Sequence, residues 1–158
     1  MGKIYAAYGS NMNLPQMRKR CPKAKVIGVG KLKNYRLTFR GRNKGVANIE
    51  ETHGREVPIL LWEITKDCER ALNIYEGFPN LYIKKNVDIE TKTGKVEAMV
   101  YIMVNIFINM PAEPHEYYFK TIWDGYKENN ITTEYLKIAL AETKREVPDS
   151  EEVKRNYF

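Results

Sequence analysis

Two short stretches hold the residues best placed to do chemistry. The first is Tyr75-Glu76-Gly77-Phe78-Pro79-Asn80-Leu81-Tyr82. Glu76 falls at the end of a helix read over residues 65–75, where the macrodipole is negative. A carboxylate there is disfavoured by about 0.3–1 kcal/mol. That cost raises its pKa towards the range of a general acid/base, and burial would raise it further. The second stretch is Tyr5-Ala6-Ala7-Tyr8-Gly9-Ser10-Asn11-Met12. It starts as a strand and ends in a Gly-Ser-Asn turn. A helix follows at once, with Asn13 able to cap it and Pro15 in its first turn. Such a junction aims free backbone N–H groups at an anion, and Gly9 allows close backbone approach. Neither stretch is specific alone. Gly-Ser-Asn makes turns everywhere, and glutamates at helix ends are common on surfaces.

Other candidates are weaker. Ser10 follows a strand, but the pattern is not G-x-S-x-G and neither histidine has a triad context. His53 lies in a polar loop, and His115 lies in a first helical turn that disfavours its cation. Gly41–Gly45 is too loose for a phosphate loop. Cys21 and Cys68 form no CxxC pair and read as small core residues. Two cysteines and two histidines are too few for a structural zinc site or a disulfide scaffold.

The elements that would position these residues follow from periodicity. Ile4–Tyr8 is a short buried strand and Leu14–Arg20 a short helix, with Arg18, Lys19 and Arg20 outward. Val26–Gly30 starts a second strand. Tyr35–Arg40 alternates apolar and polar residues as a half-buried strand does. Gly41–Gly45 is a basic turn, Val46–Glu50 a strand, Glu51–Arg55 a loop and Val57–Ile64 a longer strand. Thr65 can cap the next helix, whose residues Cys68, Ala71, Leu72 and Tyr75 share one apolar face. Gly77 is placed as its left-handed terminator. Tyr82–Glu90 and Lys95–Ile108 are strands joined at Thr93-Gly94, and Pro111–Pro114 breaks the sheet pattern. A helix runs from Glu116 to about Lys127, carrying a Tyr118, Ile122, Gly125, Tyr126 stripe. Another, capped near Thr132, runs to about Arg145 and is stopped by Pro148-Asp149-Ser150. A charged tail over residues 147–158 is expected to be mobile. Runs of strands with segregated helices indicate an α+β fold with a mostly antiparallel sheet, in a single domain over residues 1–158.

The net charge is +6, and no Asp or Glu precedes Glu50. Lys3, Arg18, Lys19, Arg20, Lys23, Lys25, Lys31, Lys33, Arg36, Arg40, Arg42 and Lys44 all lie before it. That asymmetry fits a solvated face, an acidic small substrate or a nucleic acid. The absence of RNP, KH, zinc-finger and helix-turn-helix patterns argues against nucleic acid. The most apolar run, Ala98–Met110, is broken by Asn105 and Asn109 and is too short to span a bilayer, so no membrane partner is expected. The N-terminus has no apolar signal core, Ala6 spoils a myristoylation signal, and two unclustered cysteines suit a reducing compartment. A cytoplasmic protein is expected. A homodimer is left open.

Taken together, Tyr8-Gly9-Ser10-Asn11 and Glu76-Gly77-x-Pro79-x-x-Tyr82 resemble the γ-glutamylcyclotransferase (AIG2-like) superfamily. Gly45-Val46-Ala47-Asn48-Ile49 is similar to that family's G-x-A-x-I strand. Pro114-x-x-x-Tyr118 with Gly125 is similar to its late helix. The resemblance covers nearly the whole chain in order. It implies a compact α+β fold around a small mixed β-barrel flanked by helices. It also implies a small-molecule γ-glutamyl substrate whose own α-amino nitrogen attacks its γ-carbonyl carbon, releasing 5-oxoproline and an amine or amino acid. By resemblance Glu76 is the acid/base, Tyr5, Ala6, Ala7, Tyr8, Gly9, Ser10 and Asn11 bind substrate, and Tyr118 belongs to the pocket wall. No metal or cofactor is required, because the nucleophile comes from the substrate. Glutathione is less favoured, since the branch of the family for that task differs in its opening motif. The basic residues of Gly41–Gly45 match nothing in the family pattern. A competing reading is a non-catalytic ligand- or RNA-binding protein on the same fold, using the basic N-terminal third.

Overall fold

The computed structural model describes residues 2–147; the tail from residue 148 onward lies outside them. Among the described residues the elements run β1 (Lys3–Ala7), a 3-10 turn (Ser10–Met12), α1 (Leu14–Arg20), β2 (Lys25–Arg40), β3 (Val46–Ile64), α2 (Lys66–Glu76), β4 (Tyr82–Thr91), β5 (Gly94–Met103), a second 3-10 turn (Asn105–Phe107), α3 (Glu116–Glu128) and α4 (Glu134–Glu146). The five strands close into a barrel in the order β1-β3-β2-β4-β5. All neighbours are antiparallel except β1 and β5, which close the barrel in parallel at Tyr5 and Met99. The fold is therefore the expected α+β barrel with flanking helices.

β2 and β3 are each one long strand where the sequence reads two pieces. Gly28, Gly30 and Asn34 look like breaks. The chain instead absorbs them as register shifts at Val26/Gly28 and Lys33/Tyr35 while the hairpin continues. Asn34 sits at φ 65, and its side-chain oxygen accepts the Gly54 N–H at 3.1 Å. Glu51–Arg55 is thus strand, not loop. β5 stops at Met103 rather than Ile108, because its partner β4 begins at Tyr82, which pairs with Met103.

Five basic residues of the N-terminal third, Lys3, Lys31, Lys33, Arg36 and Arg40, are paired with carboxylates brought from later in the chain. Lys31 and Lys33 meet Glu56 at 3.0 and 2.7 Å, and Lys3 meets Glu69 at 3.1 Å. Arg36 and Arg55 grip Glu142 on α4, whose carboxyl is lowered chiefly by Arg55. Arg40 is 2 % exposed and lies between Glu50 at 2.9 Å and Glu146 at 3.0 Å. A charge so buried is tolerated only when fully paired, and this pairing holds α4 to the barrel. No helix among the described residues is long and apolar enough to cross a membrane.

The cysteines correct the sequence reading. Cys21, at the C-terminal end of α1, and Cys68, on α2, are both buried and joined in a disulfide, with their Cα atoms 5.0 Å apart. Helix packing brings together positions 47 residues apart, which spacing alone does not reveal. Cysteines joined in this way give no support to a reducing compartment. Opening this link, by reduction or by Cys21→Ser with Cys68→Ser, returns loop entropy to the unfolded chain. It is expected to lower stability by about 2–4 kcal/mol, seen as a lower Tm in calorimetry. An unchanged Tm would show that the link contributes nothing.

Candidate functional site

Thr65 caps α2 by accepting the Cys68 N–H at 3.1 Å, and Asp67 and Glu69 lie in its first turn. The helix ends as read: Gly77 adopts φ 66. Its N–H bonds to the Ile74 carbonyl at 3.2 Å, and the Phe78 N–H bonds to the Asn73 carbonyl at 2.9 Å. This paired closure is the Schellman arrangement, and it holds Glu76 at a rigid helix terminus. Its carboxyl reaches a cavity of about 230 Å³. Burial pushes Glu76 up to about 7, and the nearby Arg20 guanidinium opposes that rise.

The facing wall is the Gly9–Asn13 turn, held from several sides. Asn13 caps α1 through the Gln16 N–H at 3.0 Å and donates to the Thr121 carbonyl of α3 at 3.0 Å. Asn129 donates to the Met12 carbonyl at 2.9 Å, and the Trp62 indole N–H donates to the Asn11 carbonyl at 3.0 Å. A Cβ on Gly125 would lie 2.8 Å from both the Met12 carbonyl carbon and the Asn13 nitrogen, so only glycine lets α3 approach this closely. A Cβ on Gly9 would stand 3.2 Å from the Ala47 Cβ and 3.7 Å from the Tyr118 hydroxyl. Gly9 thus keeps the cavity wall open.

Of the residues expected at the site, Tyr5, Tyr8, Gly9, Ser10, Asn11, Glu76 and Tyr118 line this one cavity. Ala6 and Ala7 do not. Both are 0 % exposed, their short side chains taken up in core packing on β1. His115 turns out to be the cap of α3, its Nδ1 accepting the Tyr117 N–H at 3.2 Å. Tyr82 from β4 and Val46 and Ala47 from β3, named above only as parts of motifs with no role at the site, complete the wall with Leu81 and with Tyr101 from β5, which the sequence did not single out. The 11 tyrosines of the composition were a signal of this lining. Tyr75, read as part of the apolar face of α2, is 43 % exposed and bonds the Ser10 hydroxyl at 2.8 Å. Arg20, read as outward, folds back to within 2.6 Å of the Asn11 side-chain oxygen and stacks 3.5 Å from the Tyr75 ring centre.

The tyrosine hydroxyls divide by what they do with their proton. Tyr8 donates to the Tyr101 carbonyl, Tyr82 to the Ala47 carbonyl and Tyr101 to the Asn73 side chain, each at 2.6 Å. Tyr118 accepts from the Ala47 N–H at 2.9 Å and Tyr5 accepts from the Asn11 side-chain amide at 2.9 Å. Those two keep a proton to give. Burial, reinforced by the Glu76 charge, raises Tyr5, Tyr8, Tyr82, Tyr101 and Tyr118, so all stay protonated at neutral pH. Among the described residues no cluster of three or more His, Cys, Asp or Glu side chains is arranged to hold a metal ion. The chemistry the site offers is one proton-exchanging carboxyl among neutral donors.

Comparison with known proteins adds to this geometry. Residues 5–123 match the family described as "Gamma-glutamyl cyclotransferase, AIG2-like". A Bos taurus protein named "Gamma-glutamylcyclotransferase" is 32% identical over 144 residues, spanning 85% of this chain and 75% of its own. The Homo sapiens protein of that name is 31% identical over 142 residues, spanning 84% of this chain and 74% of its own. A solved structure titled "Gamma-glutamyl cyclotransferase" superposes with a TM-score of 0.77 at 28% identity, covering 95% of this chain and 90% of that one.

The raised carboxyl also bears on stability. Unfolded Glu76 ionises near 4.5, whereas folded Glu76 keeps its proton to about 7. Its contribution to folding is therefore complete below about 4.5 and is lost as pH rises through about 7. Glu76→Gln removes that charge while keeping the shape. The variant should match wild type near pH 4 and exceed it by about 1–3 kcal/mol at pH 8, read from paired denaturant titrations. A difference that stays flat with pH would show that Glu76 is not desolvated.

Proposed function

The chain belongs to the AIG2-like γ-glutamyl cyclotransferase family, and from that premise we propose that it releases 5-oxoproline from a γ-glutamyl amino acid or amine, with Glu76 as general acid/base. The observation that carries this reading is the placement of the Glu76 carboxyl and the Ser10–Asn11 turn in one cavity. In the proposed reaction Glu76, as carboxylate, takes a proton from the substrate's α-ammonium group. The neutral amine attacks the γ-carbonyl carbon, forming the ring C–N bond and placing charge on the carbonyl oxygen. Collapse of that intermediate breaks the bond to the departing nitrogen, which takes the first proton from Glu76, and the ring nitrogen gives up its second proton to the released amine, so that the products are a neutral lactam and an ammonium group. A carboxyl with a value near 7 suits both steps, because each form is available at neutral pH.

The remaining catalytic power would come from geometry. A small cavity that holds the glutamyl chain folded brings amine and carbonyl together, and such pre-orientation is worth many orders of effective concentration. The Tyr118 hydroxyl, whose oxygen already accepts from Ala47, has its proton to offer a substrate oxygen. The nucleophile belongs to the substrate, so the reaction as written needs no metal or cofactor. The departing amine or amino acid would sit at the cavity mouth beside Tyr75. The RNA-binding alternative loses part of its support, since Lys3, Lys31, Lys33, Arg36 and Arg40, five of the twelve basic residues before Glu50, are engaged by carboxylates.

A panel of γ-glutamyl dipeptides and amines, assayed for 5-oxoproline, tests the proposal. Wild type should convert at least one member of the panel, and Glu76→Gln should be slower by about 10²–10⁴-fold. The kcat/KM of wild type should rise tenfold per pH unit up to about 7 and then level, because only ionised Glu76 accepts the proton. A Gln variant as active as wild type would remove Glu76 from the mechanism.

A further inference from the structure

We propose that Arg20 is the positioning residue of this site: acting through Asn11, it sets the direction of a hydrogen-bond chain that ends on Tyr5 and aims the Tyr5 hydroxyl at the substrate's γ-carbonyl oxygen. The proposal rests on the cyclisation reading above and extends it to the charge that develops on that oxygen.

The chain has only one consistent polarity. A guanidinium carries donors and no acceptor. Arg20 Nη1 lies 2.6 Å from the side-chain oxygen of Asn11, Nη2 lies 2.6 Å from Gln16 Oε1, and the guanidinium stacks on the Tyr75 ring. The Asn11 amide must therefore turn its oxygen to Arg20 and its NH₂ the other way. One of those hydrogens goes to Tyr5 Oη at 2.9 Å, and the other faces Glu76 Oε1 at 3.4 Å. A flipped amide would set NH₂ against the cation and oxygen against the carboxylate, and both contacts repel. Asn11 is 2 % exposed, so water cannot rescue the flipped form.

Tyr5 thus receives a hydrogen bond and must send its own proton elsewhere. It lines the cavity, and among the described residues no acceptor takes that proton. A γ-carbonyl oxygen held near Glu76 is then the natural acceptor. Its charge grows as the amine attacks, and a fixed donor strengthens its hold at that moment. The proton stays on Tyr5 throughout, so no bond of the side chain is broken. Arg20 is absent from the cavity lining and works through Asn11, while its charge also holds Glu76 lower than burial alone would. The groups that face Glu76 are Arg20 from α1, Tyr5 from β1, Tyr8 from the turn after it, Tyr82 from β4, Tyr101 from β5 and Tyr118 from α3. Arg20 alone among them carries a charge at neutral pH.

The test uses Arg20→Met, Arg20→Lys, Tyr5→Phe and the Met/Phe double variant. Arg20→Met should lower kcat about 10–100-fold, less than the roughly 10²–10³-fold cost of losing an oxyanion donor outright, because the Tyr5 hydroxyl is misaimed and not removed, with KM changed by less than about threefold. Its pH limb should move above that of wild type, and Arg20→Lys should restore the limb with only part of kcat. Tyr5→Phe should lose a similar factor in kcat, and the double variant should lose clearly less than the product of the two. The Asn11 side-chain NH₂ resonances, followed by NMR in the resting protein, need no substrate. They should titrate with Glu76 in wild type and collapse towards free-amide positions in Arg20→Met. Multiplicative losses with an unmoved pH limb, or Asn11 resonances indifferent to Arg20, would overturn the proposal. If wild type forms no 5-oxoproline from the panel, the cyclisation reading fails, and the Asn11 resonances alone decide whether Arg20 positions this amide.

Discussion

Keeping one carboxyl largely, though not wholly, out of water is the constraint on which the rest of this structure turns. A glutamate at a helix C-terminus is already disfavoured by the dipole, and burial beside five tyrosine rings makes its ionised form costlier still. The protein can hold such a group only where neighbouring structure over-determines its position. The Schellman closure at Gly77 supplies one restraint and the Cys21–Cys68 link another, tying α2 to the helix that carries Arg20. The cost, about 1–3 kcal/mol at pH 8, is a sizeable share of the roughly 5–15 kcal/mol by which a domain is stable. It produces a carboxyl that can both take and give a proton at neutral pH.

The opposite wall has the same character. The Gly9–Asn13 turn is bonded by α3 through Asn13 and Asn129, by β3 through Trp62, and by α1 through Arg20. Elements far apart in sequence thus converge on five residues. Barrel closure explains how this is possible. β1 lies between β3 and β5, so the turn that follows it emerges where both sheet neighbours and α3 can reach. The buried Arg40, paired with Glu50 and Glu146, does the corresponding work for α4 on the outside of the barrel.

Much of this was legible in the residues. The helix at Leu14–Arg20 and the glycine terminator at position 77 rest on local rules, and the structure obeys them; the pairing of Glu76 with the Gly9–Asn11 turn rests on the family resemblance, and both line one cavity. What escaped was set by distant partners. β2 runs through Gly28 and Asn34 because β3 supplies hydrogen bonds on the other side of each bulge. Cys21 meets Cys68, and Arg20 meets Asn11, because of how α1 packs, and spacing carries no record of that. Ala6 and Ala7 are drawn into the site by lying between residues that belong there, yet both are fully buried on β1 and neither lines the cavity. Tyr82 of β4 is visible in the motif that follows Glu76 and Tyr101 of β5 only as composition, and barrel closure places both around one cavity.

The most direct test of the central claim is the titration of Glu76 itself, followed through the ¹³Cδ resonance of its side chain in the ligand-free protein. The expected midpoint is about 7, with the Tyr5 and Tyr118 ring signals shifting in step as the charge appears beside them. A midpoint near 4.5, the value of an ordinary glutamate, would show that the carboxyl is solvated and would contradict the account.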